Sequence, residues 1–203
     1  MSVKKRVKIR RDSKKLLSNL DLRWVKAASN EICKTLHVEL SQDPFEERNL
    51  ILGWTSFFLG EIDLSLLLNE LSEEKMFYLP RSREDYSMDY ISVGKNWSES
   101  SVEGMYGIPE PADTVVENYS LSEQASNTVV LVPGVSFDGS GNRIGRGEGY
   151  YDRFFSHDTK RELIKIGVCW ELQLVESISA MEHDVPVDYI CTEERFFAVE
   201  DKL

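Results

Sequence analysis

Apolar residues recur at three- and four-residue spacing through Val25, Ala28, Ile32 and Leu36, which predicts an amphipathic helix with Asp21 placed to cap it. Gln42-Asp43-Pro44 breaks that pattern. The apolar and aromatic run 49–58 reads as a strand, and Leu64, Leu67, Leu68 and Leu71 return to helical spacing within 62–71. A short run at 75–79, ended by Pro80, completes a β-α-β rhythm. A further strand is expected over 86–93, and the polar stretch 96–111, with scattered glycines and prolines, reads as a long surface excursion. Thr128-Val129-Val130-Leu131-Val132 is a run of β-favouring residues, the pattern of a strand buried on both faces of a parallel sheet, and Pro133-Gly134 ends it. Runs 164–169 and 187–191 have the same character, with a helix expected between them over 171–180. Strands alternating with helices favour an α/β layered fold with a mostly parallel sheet, whose sites lie beyond the C-terminal strand ends.

Length narrows this picture to one domain, 1–203, because no repeat or linker divides the 203 residues. The longest near-apolar stretches, 54–59 and 64–68, are far short of the roughly 20 residues that cross a bilayer. No apolar core of a secretory signal follows the charged N-terminus, so a cytoplasmic protein is expected. Cys33, Cys169 and Cys191 are odd in number, lack CxxC spacing and lie among apolar residues, which suits free buried thiols in a reducing compartment. Charge is divided unequally. The net charge is −11, yet residues 1–15 hold eight basic residues and one acid, so the rest carries −18. Such a body repels nucleic acid and anionic membrane, and an anionic ligand needs a local basic cluster.

Six of the twelve glycines fall within 134–149, directly after the central strand. Asp138-Gly139-Ser140-Gly141-Asn142 has the composition of a tight hairpin turn. The following stretch, Arg143-Ile144-Gly145-Arg146-Gly147-Glu148-Gly149-Tyr150-Tyr151-Asp152-Arg153, alternates glycine with charge and leads into a helical segment. Alternating glycines let backbone N–H groups converge on an anion, Arg143, Arg146 and Arg153 offer guanidiniums, and Asp152 offers a hard oxygen suited to Mg2+. Neither a Walker A loop nor GxGxxG is present, and a glycine-rich surface loop is the bland reading of the same residues. Asp184 and Asp188 flank Val185-Pro186-Val187, where a carboxylate could join Asp152 around a metal or simply cap and solvate the segment. His37, His157 and His183 show no ligand spacing, and no serine or cysteine sits in a nucleophile setting. Chemistry by positioning and electrostatics is the reading left. The basic run 4–11 reads as a solvated charge run, as a helix with Arg6 and Arg10 one turn apart on one face, or as a disordered arm for nucleic acid or lipid.

The segments 129–138 and 141–153 together resemble the signature of the 5-formyltetrahydrofolate cyclo-ligase family, also called methenyltetrahydrofolate synthetases. Segment 56–63 resembles the family's substrate segment, Gly107-Ile108-Pro109-Glu110-Pro111 its GIxEP segment, and His183-Asp184-Val185-Pro186-Val187-Asp188 its HDxxxD segment, in the family's order. The resemblance implies a three-layer α/β/α fold of the NagB/RpiA/CoA transferase-like kind. It also implies conversion of 5-formyltetrahydrofolate, with or without a polyglutamate tail, to 5,10-methenyltetrahydrofolate with ATP as co-substrate and Mg2+. By resemblance Arg6, Val7, Lys8, Ile9 and Arg10 fall on the nucleotide segment, with Arg6 where the family usually has lysine. Arg143, Ile144, Gly145, Arg146, Gly147, Glu148, Gly149, Tyr150 and Tyr151 fall on the ATP loop. Arg10, Ser56, Glu61, Arg146, Gly147, Glu148, Gly149 and Tyr150 fall on folate-facing positions, Asp152 and Asp188 on metal positions, and Arg146 and Arg10 carry the catalytic role. Trp54, Phe57 and Phe58 are candidates to stack on the pterin, although aromatics in a strand are more often core. A monomer is expected, with a dimer left open, and neither nucleic acid nor membrane as partner. Two other readings share these residues: a sugar-phosphate isomerase-type enzyme, which would need a placed general base, and a non-catalytic module binding RNA or membrane through its N-terminal arm.

Overall fold

Asp21 accepts hydrogen bonds from the N–H groups of Arg23 and Trp24, so the predicted helix starts at its capping residue. The computed structural model describes residues 3–71, 73–112, 119–158 and 162–199. The helices are α1 (Val3–Ser18), α2 (Leu22–Glu39), α3 (Ser65–Leu71), the single turn α4 (Leu121–Gln124) and α5 (Tyr150–Ser156). The strands are β1 (Leu50–Leu52), β2 (Met76–Ser82), β3 (Met88–Val93), β4 (Val102–Glu103), β5 (Pro109–Glu110) and β6 (Thr128–Val132). After them come β7 (Ser136–Asp138), β8 (Arg143–Ile144), β9 (Ile164–Val168), β10 (Leu174–Val175), β11 (Tyr189–Cys191) and β12 (Phe196–Ala198).

Seven strands form the central sheet in the order β12-β11-β9-β6-β1-β2-β3. The pairs β11–β9, β9–β6, β6–β1 and β1–β2 are parallel, and only the two edge pairs are antiparallel. Alternation along β6 assigns the two faces: Val129 and Leu131 pack with α2 and α3, whereas Val130 and Val132 pack with Tyr78, Tyr90 and Phe154. The expected three layers are therefore present, with the second helical layer reduced to α4 and α5.

Three local expectations are corrected. Of the run 49–58 only Leu50–Leu52 is strand. The pairing with β6 ends at Leu52 and Val130, although β6 itself runs on to Val132, and the N–H groups of Phe57 and Phe58 turn to the Glu61 carboxylate instead, at 3.0 Å each. The expected helix over 171–180 is a 3-10 turn followed by β10, which pairs with β7. Gln173 draws the segment inward, accepting from the Trp170 N–H and donating to the Gly134 carbonyl, and the Ile178 N–H is bound by buried Asp138. Pro80 does not end β2, because β1 pairs only as far as Tyr78 and leaves no ladder there for the missing N–H to break.

Candidate active site

Chain order reverses between β1 and β6: from β1 the chain moves to β2 on one side, then returns through β6, β9 and β11 on the other. In an open parallel sheet such a switch point leaves a crevice beyond the C-terminal strand ends. A cavity of about 1740 Å³ lies there, its wall including Trp54, Phe58 and Glu61 after β1, Pro133 and Gly134 after β6, and Arg6, Arg10 and Lys14 from α1.

The hairpin reading of 138–142 holds. Asp138 is buried and its carboxylate accepts from the N–H groups of Ser140 and Asn142. Gly141 has φ +76°, and a Cβ there would stand 2.4 Å from the Val187 carbonyl. The turn delivers β8 and then a loop whose Gly147, at φ +134°, is in a conformation that side chains rarely adopt.

The loop's arginines are held by carboxylates. Arg143 Nη2 is 2.6 Å from Asp152 Oδ1, and Arg143 Nε, buried at the wall, has no hydrogen-bond partner among the described residues. Arg146 gives Nε and Nη2 to Glu61 Oε1 at 2.9 and 2.7 Å, and its guanidinium lies 3.8 Å over the Phe58 ring. Phe58 thus supports an arginine at the cavity, with Phe57 edge-on to it at 5.3 Å, while Trp54 is buried in the wall. Ile144 is core, Gly145 lines the cavity, and Glu148 is exposed at it. Burial and the Tyr106 hydroxyl push Tyr150 up to about 12, and burial holds the Tyr151 phenol well above its ordinary range, so both stay neutral donors.

α1 lays its basic face over this loop. Arg10 Nε donates to the Gly145 carbonyl and Lys14 Nζ to the Arg146 carbonyl, at 2.9 Å each. Burial, with Arg146 and Arg10 close by, lowers the Lys14 pKa. Arg6 binds Asp184 through both terminal nitrogens. Val7 is exposed, Ile9 packs on the core, and neither they nor Lys8 line the cavity. A helix turns only every third or fourth residue toward one surface, so a contiguous five-residue segment cannot all face a ligand.

Two further expectations meet a different geometry. Ser56 lines a smaller neighbouring pocket of about 190 Å³ with Asp63 and Trp97. Asp188 does line the cavity, but its carboxylate is taken by Lys165 N–H and Nζ, at 2.7 and 2.9 Å. Burial, with Asp184 adding to it, raises the Asp152 pKa in spite of the nearby guanidiniums of Arg143 and Arg6. Among the described residues no three His, Cys, Asp or Glu side chains group as a metal cage. The stretch 96–111 is also more than a surface excursion, since Tyr106, Ile108 and buried Glu110 line the cavity, and Glu110 accepts from Ser82 N–H. Lys14 and Gln173 also line the cavity; the four-residue step continuing Arg6 and Arg10 signals the first, and no local pattern marks the second.

Residues 4–193 match the model of the 5-formyltetrahydrofolate cyclo-ligase family. The 5-formyltetrahydrofolate cyclo-ligase of Haemophilus influenzae is 28% identical over 189 residues, covering 92% of this chain and 97% of that protein. That of Saccharomyces cerevisiae is 28% identical over 204 residues, covering 90% and 92%. Among solved structures, the 5,10-methenyltetrahydrofolate synthetase of Aquifex aeolicus superposes with a TM-score of 0.78 at 26% identity, over 98% of this chain and 94% of that one. The Mycoplasma pneumoniae synthetase, at 19% identity and a TM-score of 0.71 over 93% and 98%, shares the fold.

Proposed function

Since this chain belongs to the 5-formyltetrahydrofolate cyclo-ligase family, a family of ligases, we propose that it closes 5-formyltetrahydrofolate to 5,10-methenyltetrahydrofolate at the expense of ATP, as one domain over residues 1–203. The observation that carries the reading is the position of Arg146, whose guanidinium is fixed by Glu61 of the folate segment while its carbonyl is bound by Lys14 of the basic helix. One residue links the two halves of a site for two anionic substrates.

In the proposed reaction the formyl oxygen attacks the γ-phosphorus and ADP leaves. The N10 lone pair then attacks the formyl carbon, the N10 proton is lost, and the C–O bond breaks to release phosphate. No protein nucleophile enters, so catalysis rests on in-line placement and stabilisation of phosphoryl charge. Arg10, Lys14, Arg143 and Arg146 supply the cations, and the buried, unpartnered Nε of Arg143 is a donor suited to a phosphate oxygen. Glu61 orients Arg146 and, when the pterin enters, has a carboxylate to share with ring N–H groups. Neutral Tyr150 and Tyr151 serve as hydrogen-bond donors at the loop.

Mg2+ commonly binds one or two carboxylates plus nucleotide phosphates, and Asp152, half-buried beside a phosphate-suited arginine, fits that donor set. When bound, the cation would neutralise part of the phosphoryl charge. Asp188 would have to leave Lys165 to join Asp152. A sugar-phosphate isomerase reading lacks support, since Glu61, Asp152 and Asp184 are each paired with an arginine rather than poised as a base. An arm for RNA or membrane is less favoured, because Arg6, Arg10 and Lys14 of this helix line the cavity, while Lys4, Lys5, Lys8, Arg11 and Lys15 stay exposed. Three buried free thiols suit a reducing cytoplasm, and no described helix is long and apolar enough to cross a membrane.

The test is the absorbance of methenyltetrahydrofolate in mixtures of protein, 5-formyltetrahydrofolate and Mg2+, with and without ATP. ATP-dependent product is expected; a folded protein that yields none under both conditions rejects the reading.

A further inference from the structure

Resting on that reading, we infer that Asp184 is a positioning residue of this site: it holds Arg6, and through Arg6 the N-terminal half of α1, so that Arg10 and Lys14 rather than Arg6 present charge to the substrates' anionic groups. Arg6 Nη1 donates to Asp184 Oδ2 at 2.6 Å and to the Ser179 carbonyl at 2.7 Å, while Nη2 donates to Asp184 Oδ1 at 3.1 Å. The two side chains are only 10% and 11% exposed. Asp184 is itself fixed by its own turn, accepting from Met181 N–H at 2.8 Å and donating its N–H to the Met181 carbonyl at 3.0 Å.

A guanidinium engaged as a two-pronged fork on one carboxylate, with a carbonyl sharing one prong, has spent the planar geometry that would otherwise grip a phosphate. Arg10 and Lys14 are different, since their hydrogen bonds run to loop carbonyls and, among the described residues, neither forms an ion pair with a carboxylate. The four-residue spacing of the three explains the division. Lys14 and Arg10 lie beside Arg146 and Gly145, whereas Arg6, one turn further out, meets the 179–184 segment. Ser13, hydrogen-bonded to Ser136, and core residue Leu17 anchor the other half of the helix. Arg6 makes the side-chain hydrogen bonds nearest the N-terminal end among the described residues of α1. Removing one partner of a buried ion pair leaves the other uncompensated, so the contact is costly to open.

The experiment measures amide exchange in α1, ATP binding by calorimetry, and KM and kcat for both substrates, in the full chain and its Asp184→Asn, Arg6→Lys and Lys14→Gln variants. Asp184→Asn is expected to speed exchange across the N-terminal half of α1 and to raise both KM values together by about tenfold, with kcat little changed. Arg6→Lys, which keeps the charge but not the fork, gives a smaller effect of the same kind and covers the case of an Asp184 variant that does not fold. Lys14→Gln raises KM without faster exchange. Reversing the pair, Arg6→Asp with Asp184→Arg, restores the slow exchange. Unchanged exchange and KM values in Asp184→Asn overturn the inference. So does a drop in kcat with a changed Mg2+ requirement and unchanged exchange, which makes Asp184 a metal ligand. A wild-type protein without methenyltetrahydrofolate product would reject the functional reading alone, since exchange and ATP binding still judge Asp184.

Discussion

Basic residues are drawn into the two opposite ends of the parallel sheet, and they are satisfied there in different ways. At the N-terminal strand ends, Lys75 Nζ donates to the carbonyls of Phe45, Glu46 and Arg48, and Arg48 Nη1 to those of Ala125, Thr128 and Glu162. At the C-terminal ends, Arg143 and Arg146 are paired with carboxylates, and Arg10 and Lys14 each hold one carbonyl among the described residues. A cation wrapped in three carbonyls has used its donors to close loops. A cation with one partner, or one that meets its carboxylate with a single terminal nitrogen, as Arg143 and Arg146 do, keeps capacity for an incoming anion. Arg6 does not, since its two terminal nitrogens both bind Asp184. Partner type, rather than residue type or burial, sets the cations at the two ends apart.

The strongest way to break this contrast is at the structural end. Lys75→Met keeps the aliphatic stem but leaves its three carbonyls without their donor, and a loss of about 2–3 kcal/mol is expected in denaturant unfolding. KM for both substrates should stay as in wild type. A raised KM at unchanged stability would mean that the far end of the sheet also serves the site.

Arg146→Gln probes the functional end. Its partner Glu61 remains tied to the Phe57 and Phe58 N–H groups, so stability should move by less than about 1 kcal/mol. Steady-state kinetics should show kcat/KM falling about 100-fold, the scale of losing one donor aimed at developing charge. A large stability loss with little kinetic change would place Arg146 with Lys75 instead.

The smallest effect concerns Asp152, whose carboxyl pKa is raised by burial in spite of Arg143. A raised folded-state pKa means the native protein binds the proton more tightly than the unfolded chain, so this group's contribution is best at low pH and is lost as pH rises through the folded value. Asp152→Asn should therefore melt slightly higher than wild type at neutral pH, with the gap closing on acidification, while Mg2+-dependent activity falls. A variant that instead melts lower than wild type at neutral pH would mean that Arg143 stabilises the carboxylate more than burial opposes it.

Much of this protein was decided locally and could be read from the chain. Runs of β-branched residues such as 128–132 have few conformational alternatives to a buried strand, the heptad-like spacing from Val25 to Leu36 admits one helical face, and six glycines in 134–149 mark a loop whose backbone must turn tightly. The order of those segments also carried the family resemblance. What tertiary structure alone decided was pairing. Asp184 meets Arg6 across 178 positions and Arg146 meets Glu61 across 85, and no local pattern encodes a partner so distant. Likewise the segment 171–180 gave up its helix because Gln173 and Ile178 found backbone and carboxylate partners on β7 and its flanks. Local preference amounts to tenths of a kcal/mol per residue, and a buried hydrogen bond left unmade costs more than that, so the long-range partner prevails where the two disagree.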